Sequence, residues 1–295
     1  MKSDLINKLT DVASHRPGKN VIVGVHDGVW HADELLALAV LRVALPEDLI
    51  ITVVRSRKAP ALAGCDIQVD VGLGDFDHHQ QDNSFMPNGI PHAACTKVLW
   101  AVEDDVQLRN KLCADLFYAV AAFDNGYPLP SGIPQSKLLW VPSTNPTYEE
   151  PWDEETQFQA FMDAGAQVEK IYRRIRAHAQ AVINGQSKLE AAPRILGGKV
   201  LDMAEYVPPA DYLWKNTELL AAIYPSKTSG FTVQVAADPV TRDQRVSLPA
   251  EWGGLPQEEL RQISGIPGIR FVHRGLWMSS CDTHDDALRI ASTLL

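Results

Sequence analysis

The sequence predicts an α/β protein, with a Rossmann-like, mainly parallel sheet in an N-terminal lobe and a smaller α+β C-terminal lobe. Three observations carry that expectation. Strand-like apolar runs alternate with helical periodicity through the first 125 residues, polar residues punctuate the ends of those runs, and the pattern becomes mixed after a proline-rich break.

The elements follow in order. Residues 21–25, Val-Ile-Val-Gly-Val, form a short apolar run that reads as a buried strand. An apolar-rich helix is expected over 32–45, then strands over 50–55 and 67–71. Helices are expected over 92–102 and 106–123, the second with Leu108, Leu112, Leu116 and Val120 at helical spacing. No GxGxxG follows the first strand, so a dinucleotide site has little support. Six of the nineteen prolines fall at 128, 130, 134, 142, 146 and 151, which marks a loop or connector. A long helix over 154–189 carries Glu169, Lys170, Arg173, Arg174 and Arg176, expected as a solvated helix linking two lobes rather than a phosphate-facing basic surface. The remainder reads as strands over 200–203, 221–224, 232–236 and 269–273, with helices over 257–263 and 283–294. Thr283 and Asp286 have the spacing of a cap before the last helix.

Composition excludes several classes. The chain has 295 residues, 45% hydrophobic and 22% charged, ordinary for a globular protein. No apolar run approaches the roughly 20 residues of a membrane helix. The first nine residues mix acids and bases without the apolar core of a signal peptide, and are too acidic and arginine-poor for a mitochondrial address, so the cytoplasm is expected. Cys65, Cys95, Cys113 and Cys281 lack metal-ribbon or redox spacing and read as small buried thiols. A net charge of −10 argues against a broad nucleic-acid surface. Several aspartates in one site would contribute to that charge only until cations reversed the local field.

The chemistry concentrates early. His26, His31, Asp33, Asp70, Asp77, His78 and His79 stand almost entirely at the ends of apolar runs, and five of the nine histidines lie between residues 26 and 92. Imidazole and carboxylate together suit divalent metals of intermediate hardness. Ligands at the C-terminal ends of parallel strands face the crevice where open α/β sheets bind. Asp70, at the end of an apolar strand, is costly to bury unless paired or bound to a cation. Asp124-Asn125-Gly126 is explained equally well as turn chemistry or as a further ligand source.

Four stretches carry a resemblance. They are 26–34 (His-Asp-Gly-Val-Trp-His-Ala-Asp-Glu), 65–72 (Cys-Asp-Ile-Gln-Val-Asp-Val-Gly), 77–80 (Asp-His-His-Gln) and 124–126. Together they resemble the successive motifs of the DHH phosphoesterase superfamily. More closely, the chain is similar to the melanocyte-proliferating-gene family of metal-dependent hydrolases and nucleases, with similarity continuing through Asn145-Pro146, 223–225, 263–268 and 271–273. The resemblance implies two divalent cations: His26 and His31 on one, Asp33, His78 and Asp124 on the other, Asp70 bridging. It implies a catalytic role for His79, with Asp77 orienting an imidazole. The domain expectation is a metal-binding catalytic domain over 1–150, a helical connector over 151–192 and a substrate-binding lobe over 193–295.

The expected function is divalent-metal-dependent phosphoester hydrolysis by metal-activated water. The favoured form is a phosphodiesterase or exonuclease acting on short single-stranded RNA or DNA. Mn²⁺ suits the donors best, with Mg²⁺, Co²⁺, Fe²⁺ or Zn²⁺ as alternatives. Arg55, Arg57 and Lys58 are candidates for substrate phosphates in a cleft between the lobes. Arg270, His273, Arg274 and His284 are candidates from the second lobe. The partner is a phosphate ester, single-stranded nucleic acid or nucleotide, with no membrane; self-association is left open. The alternatives are a small-nucleotide phosphatase or pyrophosphatase, and a non-catalytic metal-binding regulatory module.

Overall fold

Three parallel strands organise the first part of the chain. The computed structural model describes residues 3–81, 83–238, 241 and 243–295. It divides into two units, Met1–Gln180 and Ala181–Leu295. In the first, helix α1 (Asp4–Ser14) starts where the Ser3 hydroxyl accepts the Ile6 amide at 3.3 Å, and it buries Ile6, Leu9 and Ala13. This helix has no counterpart in the sequence expectation, because its polar positions outnumber its apolar ones. Strand β1 (Asn20–Val25) lies between β2 (Ile50–Arg55) and a short β3 (Ile67–Gln68), all parallel. The central position explains why Val21, Val23 and Val25 are all buried. Gly24 is required there: a Cβ would lie 2.8 Å from Leu62 Cδ2 and 3.0 Å from Cys65 Sγ.

The third strand is shorter than expected. It ends at Gln68, with only a bridge from Val69 to Phe76 beyond it, because Asp70 takes a left-handed backbone conformation at φ 57°. Helix α2 (Ala32–Ala44) is buried over its first ten residues, and α3 (Ala59–Leu62) is a single turn. Next come α4 (Ala94–Val102), α5 (Val106–Leu112), a π turn (Cys113–Phe117) and α6 (Tyr118–Asp124). The sequence predicts one helix over 106–123; the π turn interrupts it just before the residues that reach the site, where such turns recur. Helix α7 (Glu154–Ala191) follows a connector containing one 3-10 turn (Val141–Thr144). Two of its arginines are paired: Arg173 with Glu169 at 2.8 Å and Arg176 with Glu103 at 2.8 Å.

The second unit is a six-stranded mixed sheet, ordered β4-β5-β6-β7-β9-β8. Its strands are β4 (Arg194–Ile195), β5 (Val200–Asp202), β6 (Ala221–Pro225), β7 (Phe231–Val235), β8 (Ile269–Val272) and β9 (Met278–Cys281). One face, through Ile223, Val233, Val235 and Ile269, packs on Leu260 of α9 (Gln257–Ser264) and Ile290 of α10 (His284–Ser292). The other face, through Leu201 and Ala222, packs on Leu189, Val207 and Leu213, the last from α8 (Ala210–Lys215). Strand β9 escapes sequence reading because Ser279 and Ser280 break the apolar alternation, although Ser279 is fully buried. Thr283 accepts the Asp286 amide at 3.1 Å, the cap expected for α10. Cys95, Cys113 and Cys281 are buried thiols and Cys65 is half-buried.

Two polar ties hold the first unit around its sheet. Arg16 grips Asp66 through both guanidinium nitrogens, with Nη2 to Oδ1 at 2.6 Å, and Asp66 also accepts the Ile22 amide at 2.7 Å. Partial burial works against the Asp66 charge, but Arg16 and the Ile22 amide hold its pKa below the ordinary 3.8. The stabilisation is therefore present above about pH 4 and lost as pH falls through the lowered pKa. The second tie is Asn145: its Oδ1 accepts the Trp30 amide and its Nδ2 donates to the Trp30 carbonyl, both at 2.9 Å. Thr144 accepts the buried Trp30 indole N–H at 2.9 Å. Asp66→Asn is expected to lower the urea midpoint at pH 7, with the gap to the parent closing below pH 4 in parallel titrations; a gap independent of pH would contradict the tie. Asn145→Ala is expected to cost about 1–3 kcal/mol by leaving the Trp30 amide unpartnered, read as a lower thermal midpoint.

Candidate metal centre

Sharp turns at the C-terminal ends of β1 and β3, together with the end of α6, bring six of the expected residues into one place. His26 follows β1 directly. His31 is the residue before α2, and its amide donates to Glu34 Oε1 at 2.9 Å. That bond holds Glu34 inward, fully buried. His26 Nε2 lies 3.2 Å from Glu34 Oε1 and 3.4 Å from Asp70 Oδ2. On the other side of Asp70, His78 Nε2 lies 3.1 Å from Asp70 Oδ1, 2.9 Å from Asp124 Oδ2 and 3.7 Å from Asp33 Oδ2. The donors form three groups in which every donor atom lies within 4.8 Å of the others: His26–His31–Glu34–Asp70, Asp70–His78–His79 and Asp33–His78–Asp124. Asp70 is common to the first two.

Glu34 is the member that sequence reasoning missed. It sits in the first motif, and its three-residue spacing from His31 is that of a capping box, the one signal that turns its carboxylate back toward the preceding loop. Asn125 was legible only as turn chemistry. Its Oδ1 lies 3.3 Å from His78 Nδ1 while its Nδ2 donates to the Ala121 carbonyl at 2.9 Å. That contact favours a proton on Nδ1 and leaves Nε2 to face the carboxylates. His26 Nδ1 lies 3.0 Å from the Asp27 carbonyl and 3.2 Å from Arg57 Nη2.

The electrostatics are those of a crowded anionic pocket. Burial opposes charge on His26, yet hydrogen bonding to Asp70 and Glu34 raises its pKa to about 10. Burial likewise opposes charge on His78, and Asp124 and Asp70 raise it to about 11. Asp70 is pulled well below the usual carboxylate range, its burial being overcome by those same two imidazoles. Asp33 goes the other way, pushed up by complete burial and then by the nearby Asp124 and Asp70 charges. Its oxygens accept the Ala94 and Cys95 amides at 2.8 Å each, so it also caps α4.

The donor set fits divalent cations on an observation independent of charge. Buried Glu34 Oε2 has no hydrogen-bond partner among the described residues, and Asp70 Oδ1 and His78 Nε2 face each other and other members of the donor set. Buried polar atoms are nearly always paired, and these three converge where cations would satisfy them. Imidazole and carboxylate oxygen are the ligands expected of Mn²⁺, Fe²⁺, Co²⁺ or Zn²⁺.

A cavity of about 480 Å³ opens on this centre, lined among others by His26, His31, Asp70, Asp77, His79 and Asp124. His79 is 60% exposed, and Asp77 holds it by accepting its amide at 3.1 Å and its Nδ1 at 2.7 Å. Burial works against the Asp77 charge, but His79 and the Leu73 and His79 amides lower its pKa. Arg57 also lines the cavity and contacts Asp27 Oδ1 at 2.7 Å. Arg55 does not: its guanidinium lies 4.5 Å from the Phe161 ring and 5.1 Å from that of Trp30, and donates to the Gly28 carbonyl at 2.5 Å. An arginine expected to meet phosphate instead braces the turn beneath the site. Lys58 precedes α3. Arg270, His273, Arg274 and His284 belong to the second unit. There Arg270 pairs with Asp282 at 2.5 Å, His273 Nδ1 accepts the Gly275 amide at 2.9 Å, Arg274 is exposed, and His284 lies 2.9 Å from Asp202.

The chain is similar to known proteins. The chain is 29% identical to the MYG1 exonuclease of Rattus norvegicus over 97% of its own length and 88% of the relative's. It is also 29% identical to the MYG1 exonuclease of Homo sapiens, over 92% and 85% respectively. Among solved structures, RecJ from Thermus thermophilus in complex with Mn²⁺ aligns with a TM-score of 0.28 and 13% identity, over 98% of this chain and 54% of that one; the chain thus spans about half of RecJ. Residues 22–295 match the model of the MYG1 exonuclease family, described as uncharacterised protein family UPF0160, and the chain belongs to that family.

Proposed function

We propose that the protein hydrolyses phosphodiester bonds at the end of short single-stranded nucleic acid, using two divalent cations that share Asp70. The observation that supports this most is the position of that carboxylate: one oxygen faces His26 and the other faces His78, within 3.4 Å and 3.1 Å. In this reading His26, His31 and Glu34 would hold one cation, and His78, Asp124 and Asp33 the other. Divalent cations so bound supply a lowered pKa to water and positive charge against the phosphate oxygens.

The remaining steps fall to side chains of the chain itself. Arg57 offers a guanidinium to the phosphate at the cavity wall. Asp77 fixes the ring of His79, leaving Nε2 as the free nitrogen to hand a proton to the departing oxygen. Asn125 keeps the lone pair of His78 turned inward. Arg57 is the single arginine or lysine among the described cavity-lining residues, which suits a terminal phosphodiester better than a long duplex. The same confinement favours a second reading, a phosphatase or pyrophosphatase for small nucleotides.

Purified protein supplied with Mn²⁺ and offered labelled single-stranded RNA, a dinucleotide and pyrophosphate is expected to shorten the RNA stepwise. Phosphate release from pyrophosphate alone would replace this reading with the second, and a protein that binds metal but turns over nothing would make it a regulatory module. Asp70→Ala is expected to reduce turnover by more than about 100-fold, beyond the loss typical of outer-shell partners. The same variant is expected to lose at least one bound cation in equilibrium dialysis while keeping its circular-dichroism spectrum. Full metal binding by that variant would remove Asp70 from the centre.

A further inference from the structure

We propose that Leu73 and Phe123 form a nucleobase subsite at the mouth of the cavity, gripping the base of the terminal nucleotide. The proposal rests on the phosphoester reading and deepens it. Both side chains line the same cavity as Asp70, Arg57 and His79, yet Leu73 is 65% exposed and Phe123 is 59% exposed. Scattered surface apolar residues are ordinary. Two that share a cavity with an anionic centre and an arginine are less so, because nothing in a bare phosphate would use them.

The backbone adds a second observation. Leu73 has a φ of 55°, the left-handed region that favours glycine, two residues after Val71 and directly after Gly72 at φ 84°. Its amide is held there by Asp77 Oδ2 at 2.7 Å, while the other oxygen of Asp77 holds His79. One carboxylate thus ties the exposed leucine to the exposed imidazole. Strain of this kind in an exposed loop persists where surrounding contacts over-determine it, and it gathers at ligand clamps. Phe123 comes from a separate element, at the end of α6 immediately before Asp124.

An aromatic ring and an aliphatic side chain lining one cavity with one guanidinium match one nucleotide: phosphate inward, base against the apolar mouth. Stacking on a phenyl face is tolerant of base identity. The subsite therefore selects for the presence of a base rather than for sequence.

The test compares short single-stranded oligonucleotides that end in an ordinary nucleotide with ones that end in an abasic residue, placed at each end in turn. Parent protein with Mn²⁺ is expected to favour the base-bearing end by about ten-fold or more in kcat/KM. Phe123→Ala and Leu73→Gly are each expected to bring that ratio toward one, chiefly through KM. Leu73→Gly relieves the backbone, so a merely structural leucine would leave the ratio at the parent value and the thermal midpoint equal or higher. A parent without preference, or variants that keep its preference, would overturn the subsite. A phosphorothioate oligonucleotide ending in 2-aminopurine separates this from the reaction itself. A change in its emission on binding to the parent, smaller with Phe123→Ala, supports the subsite even if no bond is cleaved, which would sink only the phosphoester reading. An emission change of the same size in the parent and Phe123→Ala, or none in either, overturns the subsite even where hydrolysis is seen.

Discussion

A single buried carboxylate between two imidazoles organises this protein. Asp70 ends the third strand early, adopts a backbone conformation rare for anything but glycine or asparagine-like residues, and points one oxygen at each histidine. Burying that charge is costly on its own. The surrounding structure is what makes the position tolerable: His26 comes from the end of the central strand, and His78 from the loop beyond the strained turn. Asp124 and Glu34 place two further carboxylates beside the same imidazoles.

The surrounding scaffold serves that arrangement by fixing short turns rather than by adding polar groups. The turn from His26 to His31 has no regular structure of its own. It is clamped from outside, by Asn145 on both the amide and the carbonyl of Trp30, by the buried Trp30 ring against Phe161, and by Arg55 lying over both rings. The proline-rich connector therefore does more than link elements. It supplies the residue pair, Thr144 and Asn145, that holds the first motif in place.

Much of this was legible in the sequence. The alternation of apolar runs located β1, β2 and α2 almost to the residue, and the spacing of histidines and aspartates gathered the candidates that the fold brings together. What periodicity could not supply was local backbone geometry. Strand β3 reads as five residues because Val69 and Val71 are apolar, but the left-handed turn at Asp70 is invisible to hydropathy. Glu34 was hidden because a glutamate in the first turn of a helix is ordinary capping chemistry, and Arg55 was misplaced because basic residues after a strand look alike until packing separates them. Arg57 reaches the cavity; Arg55 is absorbed by two aromatic rings. Strand β9 shows the same limit in the second unit, where burial of serine follows from its neighbours and not from its own hydropathy.

The claim on which all this turns is that two cations share one carboxylate, and electron paramagnetic resonance of the Mn²⁺-loaded protein tests it most directly. The expected spectrum is that of an exchange-coupled pair at two equivalents of metal per chain, replaced by isolated-ion signals when Asp70 is changed to alanine. A spectrum of uncoupled Mn²⁺ at saturation in the parent, or one ion per chain, would contradict it.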